Sequence, residues 1–246
     1  MIKLETHAHT GGSYCADWTT ENIILEYKKA GYGAIVVTNH YCKNSFDAFS
    51  DKTDKGYVDY FFDLIYQAQD FGKKYGLKIF YGLETRLLCI NTEFMLYGFD
   101  KEFLHRYPKL YDLTQKELFD LSKEYNLFMY QTHPFRDGVT AGNPQYLHGA
   151  ESFNGHYHHR NKNALANEFC DRYNLIKMSG TDFHHADQPI TAGIYIPEEI
   201  NTNRELTDFL LKGKFERIEQ KDDYRQALVG HKKTQGIIID INDKEL

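Results

Sequence analysis

The chain lacks any apolar run long enough to cross a bilayer, so no membrane association is expected. Met1–Glu5 offers neither the apolar stretch nor the small-residue cleavage site of a signal peptide. Its four cysteines, Cys15, Cys42, Cys89 and Cys170, stand far apart without paired spacing, which argues against a disulfide framework and for a reduced, cytoplasmic chain. A basic stripe is missing too: 29 Lys and Arg face 35 Asp and Glu, for a formal charge of −6. Nucleic acid is therefore not expected as a partner, although a local basic pocket can still hold one small phosphate. Long linkers, repeats and low-complexity segments are also absent, and residues 1–246 read as one domain.

What is present is ordinary globular material. Hydrophobic residues make up 41% and charged residues 26% of 246 residues, enough for a sizeable core and the right length for one α/β barrel. Apolar alternation predicts a strand at Ile2–Thr6, and buried-strand runs at Ala34–Thr38, Lys78–Tyr81, Phe94–Phe99 and Leu127–Gln131. Shorter candidates are Gly149–Phe153, Ile176–Ser179, Thr191–Ile196 and Ile237–Ile241. Helices are expected from Thr19 or Thr20 to Ala30, closed by Gly31, and from Tyr57 to Tyr75, closed by Gly76. Others are expected from the capping box Thr114–Glu117 to Tyr125, at Asn161–Tyr173 and at Arg204–Lys212. Strand–helix alternation of this kind favours a parallel sheet or barrel.

The histidines and acids fall at the ends of those strands. His7 and His9 follow the first strand two positions apart, which places both imidazoles on one face. His40, Glu84 and His133 each lie just beyond a strand, Glu151 ends another, and Asp182 and His184 follow Ile176–Ser179. In a parallel barrel these ends share one rim. Imidazole and carboxylate together suit divalent Zn, Mn or Fe, and Glu84 could bridge two ions. A lone His-x-His is weak evidence, but repetition at successive strand ends is hard to produce by chance. The remaining histidines, His105, His148, His156, His158, His159, His185 and His231, sit in loop-like stretches and are expected to be mostly solvated.

Thr6-His7-Ala8-His9-Thr10, Thr38-Asn39-His40, Gly82-Leu83-Glu84, Thr132-His133-Pro134 and Gly180-Thr181-Asp182-Phe183-His184, in that order, resemble the PHP (polymerase and histidinol phosphatase) domain family over residues 1–195. The resemblance implies a distorted, TIM-like (β/α)7 barrel holding one to three divalent metal ions. By position, His7, His9, Glu84 and Asp182 would hold a first metal. Glu84 and His133 would hold a second, and His40 and His184 would face a third. The sequence departs from the family at two places. Met95 stands where many members carry a His, and a thioether is a poor ligand for these ions. The loop after the His-x-His pair has Tyr14 in place of an Asp or His, with Cys15 and Asp17 as possible substitutes. Such a cysteine is more often an inert loop residue than a ligand, though a thiolate that did bind would favour Zn²⁺, and Asp17 could equally cap the following helix.

The reaction implied is hydrolysis of a small phosphate ester through a metal-bound hydroxide. Asp182 would bind metal and orient the nucleophile; His184 or His40 would protonate the leaving oxygen. Arg136 is the candidate phosphate clamp, its plain alternative being a surface pair with Asp137 or another acid. Glu151 and Asn154 would either line the pocket or hydrogen-bond to a metal-ligating His from behind. The rival readings are an amidohydrolase-type reaction, for which no convincing bridging Lys stands at a strand end, and a degenerate, metal-binding regulatory module. The oligomeric state stays open.

Overall fold

The computed structural model describes residues 1–220. The strand expected at Ile237–Ile241, and His231, lie outside the described residues. The strands are β1 (Ile2–Ala8), β2 (Ala34–Val37), β3 (Lys78–Arg86), β4 (Glu93–Tyr97), β5 (Phe128–Gln131), β6 (Gly149–Asn154), β7 (Ile176–Gly180), β8 (Ala192–Ile196) and β9 (Arg217–Glu219). The α-helices are α1 (Thr20–Lys29), α2 (Lys43–Ala48), α3 (Asp54–Tyr75), α4 (Lys101–Arg106), α5 (Gln115–Glu124), α6 (Asn163–Tyr173) and α7 (Asn203–Leu210).

Local chemistry explains most boundaries. The Thr19 hydroxyl accepts from Asn22 N and starts α1. α3 begins at Asp54, a turn before its apolar pattern, because the Thr53 hydroxyl caps Gly56 N. It stops where Gly76 takes φ 66°, a left-handed conformation that costs glycine little. Thr114 and Glu117 close the expected capping box at α5. The β2 run Ala-Ile-Val-Val is buried throughout, as for a strand covered on both faces.

All nine strands form one sheet, ordered β7-β6-β5-β4-β3-β2-β1-β8-β9. Neighbours among β1, β2 and β3, and among β5, β6 and β7, pair parallel. β4 runs antiparallel to both β3 and β5. The sheet curls until β7 meets β1: Ala8 bridges Phe183, His9 N donates to Phe183 O at 2.9 Å, and the Thr6 hydroxyl donates to Ser179 O at 2.7 Å. Lower down that seam, β8 pairs antiparallel with Ile2–Leu4 and holds β1 and β7 apart. The result is a distorted seven-stranded α/β barrel, TIM-like, with β8 and β9 wedged at its seam.

The parallel barrel expected from alternation is thus correct except at β4, which enters the barrel as the return arm of a hairpin. Leu4, Ala34, Val36, Phe80, Met95, Tyr97, Phe128, Tyr130 and Met178 fill the interior, and Leu206 and Leu210 of α7 pack against them. Separate apolar layers join β1 and β2 to α1 and α3, and β3–β6 to α3, α4, α5 and α6. This interior gives the rim residues a rigid floor.

Candidate metal centre

The rim above that floor carries the strand-end histidines and acids. His7 and His9 project to the same side, with their Nε2 atoms 3.1 Å apart. His7 Nε2 lies 3.4 Å from Glu84 Oε2 and 3.3 Å from Asp182 Oδ1; His9 Nε2 lies 3.4 and 3.5 Å from the same two atoms. All four side chains are buried. Donors about 2.0–2.2 Å from one ion stand about 3.3–3.6 Å apart in a tetrahedral set, and the four imidazole–carboxylate separations match that spacing.

Two site positions depend on unusual backbone. His133 has φ 30° and Asp182 φ 55°. Positive φ is uncommon for any non-glycine residue, and such strained positions cluster at functional sites. Gly180 needs its lack of a side chain for another reason: a Cβ would lie 2.6 Å from His7 Cβ and 2.8 Å from Glu151 Oε1.

Glu84 faces two ways. Oε2 meets His7 and His9, with His40 Nδ1 at 3.2 Å, while Oε1 is 3.2 Å from His133 Nε2 and accepts from the Thr132 hydroxyl at 2.6 Å. His133 Nε2 also lies 3.5 Å from Glu93 Oε2 and 3.9 Å from Asp182 Oδ2. Sequence reasoning missed Glu93. It looked for a ligand inside β4 and settled on Met95, which is buried in the barrel interior. Because β4 runs antiparallel, its first residue, not its last, reaches the rim. A hairpin read between β3 and β4 would have been the signal.

Behind the first set stands a second. His7 Nδ1 is 2.8 Å from Glu151 Oε1, and Glu151 Oε2 accepts from His133 N and Asn154 Nδ2, both at 2.9 Å. Asn154 Nδ2 also reaches Asp182 Oδ2 at 3.2 Å. Of the two readings open for Glu151 and Asn154, the geometry matches support from behind a ligating His. Glu5, also missed, accepts from Thr6 N, His7 N, Thr181 N and the Tyr27 hydroxyl. It pins His7 against the segment leading to Asp182.

The other sequence candidates distribute unevenly. His184 flanks the pocket; its Nδ1 meets Asp182 O at 2.9 Å, and its ring stacks on His9 with centroids 4.1 Å apart. Arg136 pairs not with Asp137, which takes Lys162, but with Glu93 Oε2 at 2.9 Å, its other guanidinium nitrogen 4.0 Å from Asp182. Arg86 holds the second Glu93 oxygen at 2.7 Å. Asp17 is neither at the centre nor a cap: it is exposed and binds His185 Nδ1 at 2.9 Å. Cys15 does join the centre. Ligand atoms of His9, Cys15, His40 and His184 all lie within 4.8 Å of one another.

Of the remaining histidines among the described residues, His105, His158 and His159 are exposed as expected, His148 and His185 are half-buried, and His156 is buried against expectation. His156, His158, His159 and His185 line a cavity of about 240 Å³ together with Tyr14, His40, Glu84, Arg86, Glu93, Arg136, Asp182 and His184. His156 is buried, because its loop folds back over Asn154 and accepts hydrogen bonds from Asn161. Burial pushes His156 down to about 3, so its ring is neutral near pH 7. His148 packs between Phe119 and Phe128 and accepts from Met129 N.

Electrostatics fit a cation. Burial opposes protonation of His7, but Asp182, Glu151 and Glu84 outweigh it and hold the ring above the ordinary histidine range. His9 is raised against burial by Cys15, Asp182 and Glu84. Burial likewise opposes ionisation of Glu84 and Asp182, yet the surrounding histidines keep both well below the carboxylate range. Protons here do the work of a missing positive charge. Buried His9 Nδ1 and His133 Nδ1 have no hydrogen-bond partner. Compact N and O donors with unspent lone pairs fit a divalent ion.

Neither family models nor curated protein sequences give a match. Solved structures do. A two-domain protein of Bacteroides vulgatus, described as containing a predicted PHP-like metal-dependent phosphoesterase, superposes with TM-score 0.64 and 17% identity, over 89% of this chain and 65% of that one. The chain therefore spans just under two thirds of that protein's length. PsfC of Pseudomonas syringae gives TM-score 0.60 and 17% identity over 92% and 98% of the two chains. The lesion-specific endonuclease PfuEndoQ of Pyrococcus furiosus gives 0.57 and 13% over 89% and 57%. The fold is PHP-like; identities this low leave the reaction to be argued from the site.

Proposed function

We propose that this chain, built on a PHP-like barrel, is a metal-dependent hydrolase of small phosphate esters. The observation that carries the reading is the convergence of His7 and His9 Nε2 on Glu84 Oε2 and Asp182 Oδ1, each within 3.3–3.5 Å, with Glu84 turning its second oxygen toward His133. Divalent cations held there would supply Lewis acidity toward phosphoryl oxygens and make a bound water acidic near neutral pH.

The chain's own groups do the rest. Asp182 would close the first position with Oδ1, and its Oδ2, held by Asn154 Nδ2 at 3.2 Å and 4.0 Å from Arg136, would orient the attacking water. Arg136 and Arg86 share Glu93 at the cavity wall, and guanidinium forks suit phosphate oxygens. His184 has Nδ1 committed to a carbonyl, so Nε2 is the atom left for work. When the ring is protonated it donates to the leaving oxygen; when neutral it is a ligand. The cavity, at about 240 Å³, is smaller than usual drug-sized sites and suits a compact substrate or the phosphate end of a larger one. Among the described residues no lysine lines it, which favours ester hydrolysis over a mechanism needing a carboxylated Lys bridge. The endonuclease among the neighbours makes a phosphodiester the second substrate worth assaying.

The test loads purified protein with Mn²⁺ or Zn²⁺ and assays aryl phosphate mono- and diesters. Turnover is expected, with at least one metal per chain, and Asp182→Asn should cut kcat/KM by about 100-fold or more without unfolding the protein. Metal-loaded protein that turns over neither ester class would refute the reading.

A further inference from the structure

Tyr14 stands in the loop between β1 and α1, and the reaction described above makes no use of it. Five large hydrophobic side chains are exposed among the described residues, and Tyr14, 51% exposed, is the one of them that lines the cavity. A lone exposed tyrosine is ordinary on a protein surface. This one is fastened. One face of its ring lies against His40, with centroids 5.4 Å apart and planes 29° from parallel, and its hydroxyl rests 4.0 Å from the buried Cys42 sulfur. Its loop is tied down on both sides: the Tyr60 hydroxyl donates to Gly12 O at 2.9 Å, Asp17 N donates to His184 O at 3.3 Å, and Asp17 holds His185. The ring is thus set in place before any ligand arrives, with its second face open.

The rest of the cavity narrows what that face can meet. Its floor carries the candidate metal centre and the Arg86–Glu93–Arg136 group, where a phosphoryl end belongs. In the strand order β2, which leads to His40, lies nearly opposite β6, whose following loop supplies His158 and His159. There His158 stacks on His185 at 5.8 Å and His156 packs on His159 at 4.4 Å between centroids, so the far wall is also made of flat rings. Among the described residues no aliphatic side chain lines the cavity, and none with an amide or an alcohol hydroxyl; its three carboxylates all belong to the metal centre. An alkyl chain would find no apolar partner there, and a polyol few acceptors for its hydroxyls. A flat aromatic ring finds π faces on both walls. We propose that Tyr14 is the specificity-determining residue of this cavity, a platform on which an aromatic ring of the leaving group stacks, and that the substrates are phosphate monoesters of small aromatic alcohols. A cavity of about 240 Å³ leaves room for a phosphoryl group and one such ring, not for a ring carried beyond a sugar. The ester part of this inference rests on the hydrolase reading; the stacking does not.

Phosphonates test the stacking without turnover, because an ester hydrolase does not cleave their carbon–phosphorus bond. Benzylphosphonate and cyclohexylmethylphosphonate share one carbon skeleton, and only the first is flat. Titration calorimetry on protein loaded with Mn²⁺ should show benzylphosphonate binding at least about fivefold more tightly, in line with the worth of one aromatic stack. Tyr14→Leu, equally apolar but without a π face, should abolish that preference, and Tyr14→Phe should keep it. With esters, Tyr14→Leu should raise KM for phenyl phosphate by a similar factor of about five. Melting curves check that both variants are folded. Equal affinity of wild type for the two phosphonates, or a preference that survives in Tyr14→Leu, would overturn the inference whatever esters the protein cleaves. A preference that Tyr14→Leu removes, in protein that cleaves no ester, would instead uphold the platform and sink the hydrolase reading.

Discussion

Glu5 shows how much of this site depends on a residue that touches no candidate ligand's donor atom. One of its oxygens accepts three backbone N–H groups, and the other accepts the Tyr27 hydroxyl. Glu5→Ala should strand those donors and cost about 3 kcal/mol or more in urea unfolding, at about 1–3 kcal/mol per buried unpaired group. Glu5→Gln keeps the triple acceptor and should cost under about 1 kcal/mol. Burial raises this carboxyl to about 7 despite those hydrogen bonds. A raised acid binds its proton more tightly when folded, so its contribution falls as pH climbs from the ordinary value of 4.5 through about 7. Glu5→Gln should flatten that part of the stability curve relative to wild type. At Glu151, Glu151→Gln should weaken metal binding about 10–100-fold, read by competition with a chelating dye, because His7 loses the carboxylate that orients its ring. The candidate ligands were legible in the sequence because strand ends announce themselves. Glu5 was not, since a lone acid inside an apolar strand gives no sign of the donors that will gather round it.

Among the elements, β4 decides where sequence reading succeeds and fails. Apolar content revealed the strand but not its direction, because periodicity is the same read either way. Direction was set by the hairpin from β3, and it exchanged Met95 for Glu93 at the rim. Glu93→Ala should therefore weaken cation binding on the His133 side by about tenfold or more, whereas Met95→Leu should leave metal content unchanged at a cost under about 1.5 kcal/mol. Equilibrium dialysis of the two variants separates the cases. The loop from Gly155 to Lys162 teaches a related lesson. His158 and His159 are exposed as read, but His156 looked solvated because sequence shows local polarity and not the fold-back held by Asn161. Capping boxes and glycine stops, whose chemistry is local, were read correctly at α1, α3 and α5.

At the scale of the whole barrel, protons and the proposed cation would compete for the same centre. Without a cation, the raised His7 and His9 contribute stability that is present below the ordinary pKa of 6.5 and lost as pH rises through their higher folded values. Depressed Glu84 and Asp182 contribute above the usual carboxylate range and lose it as pH falls through their folded values. Metal must displace the histidine protons, so the rise in Tm on adding Zn²⁺ should grow from pH 5.5 to pH 8, roughly those limits bracketing histidine titration. A shift independent of pH would contradict this proton linkage. Alternation of strands and helices disclosed the barrel class; the splayed seam filled by β8 stayed hidden, because it depends on twist and register rather than on residue type.

That seam also bears on how the protein is made. Glu5 and Thr181 are 176 positions apart, yet their contact fixes His7 beside the segment carrying Asp182. At the usual pace of translation the first strand waits roughly 10–35 s for its partner to be synthesised. A nascent chain emerging from the ribosome therefore carries its two leading imidazoles exposed and unmated, and contacts so distant in sequence close slowly even after release. Cation binding at the proposed centre therefore has to follow closure of that contact, late in folding.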